Sequence, residues 1–116
     1  MNNFRERGKS FETEFSRNQE LAFRITARRN RLFGVWAAEK LGLAAGEPVE
    51  TYAKAVVAAD FEVPGDDDVI AKVRADLDAK GLGVTDAELR AELARAAAEA
   101  RRQVLADHGD KGTPPR

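Results

Sequence analysis

Few residues of this sequence can perform nucleophilic or metal chemistry. The chain has no cysteine, and its single histidine, His108, follows Asp107 close to the carboxyl terminus. The missing cysteines exclude a Cys–His dyad and a thiolate metal site. A Ser–His–Asp triad needs a histidine that the fold holds in place, whereas we expect His108 to be solvated in a tail. We therefore predict that the protein is not an enzyme and has no catalytic residues.

The densest group of carboxylates surrounds the turn dipeptide Pro64-Gly65. Its members are Asp60, Glu62, Asp66, Asp67 and Asp68. Calcium-binding loops alternate their ligands around a central glycine and end in a glutamate at fixed spacing, and this group lacks that register. Acidic side chains in the first turn of a helix are stabilised by the helix macrodipole. We therefore interpret the three aspartates as a helix start and predict no metal site.

Arginines form the densest cationic group of the chain. They are Arg24, Arg28, Arg29 and Arg31. In a helix Arg24, Arg28 and Arg31 lie along one side, and Arg29 falls nearer the apolar stripe. We favour a solvated face that makes ion pairs with acidic parts of the same protein. The alternative is a module that binds an anionic ligand such as adenine nucleotide weakly; no GxxxxGK[ST] loop is present, and we predict no cofactor.

The distribution of charge limits the class of partner. The formal net charge is -1, yet residues 1–31 carry eight Lys/Arg and four Asp/Glu, a net of +4, which leaves -5 for the rest. A slightly acidic chain argues against nucleic acid as a partner. The basic segment is either a binding device or a helix attracted to acidic helices of its own fold.

Three phenylalanines are the large apolar residues of the charged segment 1–15. Phe11 and Phe15 would share one face of a helix. Gly8 costs about 1 kcal/mol relative to alanine in a helix interior, and so short a helix is marginal in water. We predict a flexible arm over residues 1–17 that becomes helical when its rings are covered. The residues alone leave open whether the cover is the protein's own bundle or a partner.

The elements that must position these groups are helices. Apolar residues recur at three- and four-residue spacing over about 18–41, 48–60, 66–80 and 85–106. The stripe of the first segment comprises Leu21, Ile25, Leu32 and Trp36. Thr85 and Glu88 form a capping box, with Val84 and Leu89 placed for a hydrophobic staple. We expect Trp36 to anchor the core and the Tyr52 hydroxyl to lie in water at its edge.

We predict an all-α protein, a small four-helix bundle over residues 18–106, with the arm at 1–17 and a disordered tail at 107–116. The charged start MNNFRERGKS is not a secretory signal. No run approaches the roughly 18 apolar residues that span a bilayer. We therefore expect a cytoplasmic location without direct membrane insertion.

The stretch from Phe11 to Leu43, FETEFSRNQELAFRITARRNRLFGVWAAEKLGL, resembles the signature block of the alphaproteobacterial ATP synthase inhibitor, or zeta subunit, family. Its most specific part is Ala27–Leu32 followed by Gly34 and Trp36–Ala38. Further matches in order and spacing are Tyr52-Ala53, Val56-Val57, Asp60-Phe61, Pro64-Gly65 and Asp68-Val69. The resemblance covers residues 4–79, and beyond Gly81 only a helix of suitable length is recognisable.

This resemblance implies a four-helix regulatory protein, monomeric when free, that binds the catalytic head of the rotary ATP synthase. In such proteins the arm becomes helical as it wedges into a catalytic interface between the large subunits, near the rotor. There it blocks rotation in the hydrolysis direction and spares synthesis, while the bundle anchors it outside the head. The protein would lie at the inner face of the plasma membrane only through the synthase.

The resemblance also implies which residues contact the partner. Those for insertion are Phe4, Arg7, Lys9, Phe11, Glu12 and Phe15, and those that support the arm-bearing helix are Phe23, Arg28, Arg29 and Trp36. The arm departs from the family pattern, in which a glutamate is common at the position of Gly8 and a lysine at that of Glu14. A further alternative is therefore a helical adaptor for another protein, with a weakened or lost inhibitory arm.

Overall fold

The computed structural model describes residues 2–59 and 66–112, and the side chains of residues 18–59 and 66–107. Four helices follow one another: α1 (Asn2–Lys40), α2 (Glu47–Ala59), α3 (Asp67–Ala79) and α4 (Asp86–Gly112). No strand occurs in the described ranges. The prediction of an all-α, four-helix protein is confirmed. Asp60, Glu62 and the Pro64-Gly65 turn lie outside the described residues.

The first and last helices of the chain are longer than their apolar patterns in the sequence indicated. α1 begins at Asn2, well before Asn18, so the backbone of the predicted arm is part of this helix. No proline interrupts residues 2–40, and a single glycine at position 8 weakens a helix without breaking it. The backbone of α4 likewise continues past Ala106 to Gly112. The side chains of residues 2–17 and 108–112 lie outside the described set.

Residues that are close in sequence determine where α1 ends and where α4 begins. Gly42 has a positive φ of 78°, and the amide of Leu43 donates to the Ala38 carbonyl at 3.0 Å, which is the Schellman arrangement that ends α1. At the start of α4, Thr85 Oγ1 accepts a hydrogen bond from the amide of Glu88 at 3.1 Å. The threonine half of the predicted capping box is therefore present. Leu89 is fully buried and Val84 packs against the core beside it.

The core lies where α1 passes between α2 and α4. Phe33 and Ala37 of α1 are fully buried, and Asn30 is only 1% exposed. Leu32 and Trp36, two of the four residues of the predicted stripe, are partly buried at the edge of this cluster. The most deeply buried residues of α1 therefore lie one position after the residues that we predicted. Because α1 packs against two helices, the buried part of its surface is wider than the single apolar stripe of an amphipathic helix.

One backbone approach sets the distance between α1 and α2. An added Cβ at Gly34 would lie 2.8 Å from the Cα of Ala53 and 3.2 Å from the Cβ of Val56. The nearest of these atoms belongs to the main chain, so the neighbour cannot move aside by changing a rotamer. Gly34 therefore allows the two helices to pack in backbone contact.

A polar contact joins α2 to α3 at the core edge. The Tyr52 hydroxyl donates to Asp76 Oδ2 at 2.7 Å, and Lys72 Nζ lies 2.9 Å from the same oxygen. Our expectation that this hydroxyl lies in water is wrong, because the facing helix supplies a carboxylate. Partial burial, the hydrogen bond and the charge of Asp76 together raise the pKa of Tyr52. Burial opposes ionisation of Asp76, yet the hydrogen bonds from Lys72 and Tyr52 lower its pKa.

Candidate partner-binding site

The predicted site residues fall into two groups along α1. The six expected to insert into a partner lie between Asn2 and residue 17, and their side chains are outside the described residues. Their roles stay predictions. The four expected to support the arm, Phe23, Arg28, Arg29 and Trp36, are all described.

Arg28 ties α1 to the C-terminal half of α4. Its Nη1 donates to Gln103 Oε1 at 2.8 Å, and its Nη2 lies 3.7 Å from Asp107 Oδ2. Gln103 is held in turn, since its Nε2 donates to Glu99 Oε1 at 3.0 Å. This chain of hydrogen bonds fixes the orientation of α4 against the arm-bearing helix.

Arg29 ties α1 to the start of α3. Its Nη1 donates to Asp66 Oδ1 at 2.9 Å, and its Nε donates to Asn30 Oδ1 at 2.9 Å. The Arg29 side chain is 12% exposed, so this pair is better shielded from water than the other arginine pairs. The Asp66 side chain makes no cap hydrogen bond at the start of α3. Its carboxylate accepts the hydrogen bond from Arg29 of α1 instead.

The remaining two arginines pair near the surface. Arg24 Nη2 lies 2.7 Å from Glu20 Oε1 within α1, and Arg31 Nη2 lies 2.6 Å from Glu50 Oε1 of α2. Together with Arg28 and Arg29, they match the interpretation of an arginine face paired with acidic groups of the same protein. Exposed pairs of this kind contribute about 0–1 kcal/mol each.

Trp36 belongs to the packing of the bundle. Its ring stacks on Phe33 with the centroids 5.7 Å apart and the planes 9° from parallel. Lys40 Nζ lies 5.7 Å from the Trp36 centroid on the next turn. The predicted anchoring of Trp36 on the core is confirmed. Trp36 therefore packs the last turns of α1 against the edge of the core.

A groove of about 450 Å³ opens at the end of the bundle where α1 leaves it. Its apolar lining comes from three helices, with Ala27 of α1, Val57 of α2 and Val104 of α4. Arg24, Arg28 and Arg31 line it as well. Phe23, a residue that is 58% exposed, also lines this groove. Sequence reasoning found the arginines but missed the two valines, because only the tertiary fold brings three helix ends together.

The part of the chain that the structure describes holds neither a metal-binding cluster nor a membrane-spanning helix. No group of three or more His, Cys, Asp or Glu residues there is arranged to hold a metal ion. No helix among the described residues is both long enough and apolar enough to cross a membrane.

Comparison with known proteins identifies relatives of this arrangement. The family model described as ATPase inhibitor subunit zeta matches residues 1–103. A protein structure solved in solution by NMR superposes with a TM-score of 0.65 at 44% sequence identity, covering 73% of this chain and 95% of that one. No curated protein sequence gives a significant match.

Proposed function

The chain belongs to the ATPase inhibitor subunit zeta family, and on that premise we propose that it is a non-catalytic regulatory subunit of the rotary ATP synthase. It binds the catalytic head and inhibits ATP hydrolysis by inserting the arm, residues 1–17, between large subunits near the rotor. The observation that carries this proposal is a family match over residues 1–103, which includes both the arm and most of the bundle.

Three segments divide the work in this proposal. Residues 1–17 insert, residues 18–106 form the helical domain that carries them, and residues 107–116 form a tail. Binding of the domain to the synthase places the protein at the inner face of the plasma membrane without crossing it. The free protein is a monomer in this account.

The way α1 is held supports such a mechanism. A segment that stops a rotor must transmit force to its base rather than bend away. Arg28 links α1 to α4, and Arg29 links it to the residue preceding α3. At about 1.5 Å per residue, the sixteen arm residues that belong to α1, residues 2–17, span roughly 24 Å. The arm is therefore the extension of a helix clamped on two sides.

The test compares three forms of the protein added to the purified cognate ATPase. We expect the full chain to lower the rate of ATP hydrolysis and a chain lacking residues 1–15 to leave it unchanged. A chain lacking residues 113–116 serves as the matched control and should inhibit like the full chain. Circular dichroism establishes that each form keeps its helices. Equal inhibition with and without the arm would place the active surface on the bundle and refute the insertion.

The arginine-lined groove favours one second candidate, a module that binds adenine nucleotide. Guanidinium groups are suited to phosphate, and the groove holds three of them beside apolar side chains. Each is already bonded to a carboxylate or an amide oxygen, which lowers its gain from an added phosphate. Titration with ATP and ADP, monitored by amide NMR chemical shifts, tests this candidate. Shifts of residues 24–31 at micromolar nucleotide support nucleotide binding. Unchanged spectra at millimolar nucleotide exclude it.

A further inference from the structure

The first and last helices of the chain lie side by side and run in opposite directions. Trp36 of α1 lines one groove together with Arg95 of α4. Nearer the amino end of α1, Arg28 bonds to Gln103 and lies 3.7 Å from Asp107. A step along α1 towards its amino end is therefore matched by a step along α4 towards its carboxyl end.

The backbone of α4 continues this pairing past the last described side chain, that of Asp107. It remains helical as far as Gly112, which is five residues and roughly 7.5 Å further along. Arg28 lies opposite residues 103–107. The antiparallel register therefore brings the end of α4 to the level of about residues 19–23 of α1. This level adjoins the predicted boundary of the arm at residue 17.

Burial along α1 agrees with a cover at this level. Leu21 and Ile25 are half-buried, whereas the three residues between them are exposed. Both belong to the apolar stripe of α1, whose later members, Leu32 and Trp36, line the groove shared with α4. Leu21 lies two turns before Arg28, a level that the last turn of α4 reaches and Asp107 does not.

The last turn of α4 is a weak helix by composition. Residues 108–112 read HGDKG, and glycine is the least favourable residue in a helix interior apart from proline. A segment of this composition has little tendency to stay helical alone, and packing supplies most of the stability of helices in proteins. Its helical state therefore depends on what it lies against, and in this structure α1 is its neighbour.

We propose that residues 108–112 of α4 fasten the base of the arm-bearing helix, by packing on α1 at residues 18–25. The fastening supports α1 up to the point where the arm begins. It stabilises both partners, because each segment covers the other. This inference concerns the free protein and goes beyond the proposed function.

Two truncated chains test the fastening by amide hydrogen exchange. We expect removal of residues 108–116 to speed the exchange of amides 18–25 about tenfold, because local opening of this part of α1 becomes easier. Amides of residues 30–38, in the core part of α1, should keep their rates. The matched control lacks only residues 113–116, keeps the last turn of α4, and should exchange like the full chain.

Gly109→Ala tests the same contact by strengthening it. Gly109 lies two helical turns after Arg102, whose side chain is 68% exposed, so a methyl group there is on the outer side of α4. Alanine favours the helix over glycine. We expect amides 18–25 to exchange about two- to fivefold more slowly in Gly109→Ala than in the original protein.

Inhibition of ATP hydrolysis adds a second readout, which alone rests on the proposed function. The chain lacking residues 108–116 should need about fivefold more protein for half-maximal inhibition, because a loosely held arm loses more freedom when it inserts. Inhibition at saturating protein should be unchanged.

Unchanged exchange of amides 18–25 after removal of residues 108–116 would overturn the inference. Equally fast exchange in the control lacking residues 113–116 would overturn it as well, since the last turn of α4 would then have no special part. An unaltered chain that does not inhibit would refute the proposed function and leave the exchange results standing.

Discussion

At the scale of single residues, Gly34 shows how little room the α1–α2 contact leaves. Alanine there would bring its Cβ to 2.8 Å from the Ala53 backbone. We expect Gly34→Ala to lower the free energy of unfolding by about 1–3 kcal/mol, the usual cost of overpacking a close contact. Urea denaturation followed by circular dichroism measures this loss.

Gly83 supplies the control for Gly34. A Cβ added at Gly83 meets nothing within 4 Å among the described atoms, and its φ is not positive. Gly83→Ala should therefore leave stability within about 0.5 kcal/mol of the original value. A similar loss at both positions would contradict the steric explanation.

Tyr52 gives a prediction about pH at the same scale. Tyr52→Phe removes the donor to Asp76, and we expect it to lower the free energy of unfolding by about 1 kcal/mol at pH 7. The pKa of Asp76 is lowered in the folded protein, so its contribution is present above its unfolded value, about 4, and is lost as pH falls. The pKa of Tyr52 is raised, so its contribution is present below about 10 and is lost as pH rises further.

Urea denaturation of both proteins from pH 2 to pH 11 tests this hydrogen bond. The difference in stability should be largest near neutrality and should shrink towards both extremes. A difference that stays constant across this range would mean that Tyr52 contributes only through packing.

At the scale of elements, the contact between α1 and α4 depends on Gln103. Its side chain joins Arg28 of α1 to Glu99 of α4. We expect Gln103→Ala to reduce the free energy of unfolding by about 1 kcal/mol, because a hydrogen bond to a charged group is lost at a partly buried position.

Hydrogen exchange tests this element directly. Amides near the C-terminal end of α4 should exchange faster in Gln103→Ala than in the original protein. Arg102→Ala is the matched control, since the described bonds of Arg102 go to Glu99 within α4. The exchange rates of Arg102→Ala should match those of the original protein. Equally faster exchange in both variants would mean that Gln103 does not link the two helices.

The sequence predicts those features of the fold that depend on residues close to one another in the chain. The end of α1 at Gly42 and the start of α4 at Thr85 depend on a few neighbouring residues, and both predictions are confirmed. The buried face of α1 and the partner of Tyr52 depend on helices that are distant in sequence, and there the predictions needed correction. For the site, the sequence indicated the arginines of α1 but neither their partners nor the groove.

At the scale of the whole molecule, the protein is elongated. Its principal extents are 65 × 36 × 22 Å and its radius of gyration is 18.0 Å. A compact protein of this length would have a radius of gyration of about 13 Å. The 39 residues of α1 account for the difference, since such a helix is roughly 58 Å long and extends past the bundle. This shape suits a protein whose bundle stays outside a partner while one helix reaches in.

In the proposed function, the rings of Phe11 and Phe15 become buried only when the catalytic head covers them. Fluorine NMR of the full chain carrying fluorophenylalanine at these two positions measures their surroundings before and after the head is added. We expect sharp, solvent-exposed signals from the free protein, which become broad and shielded in the complex. Rings already rigid and shielded from water in the free protein would contradict it.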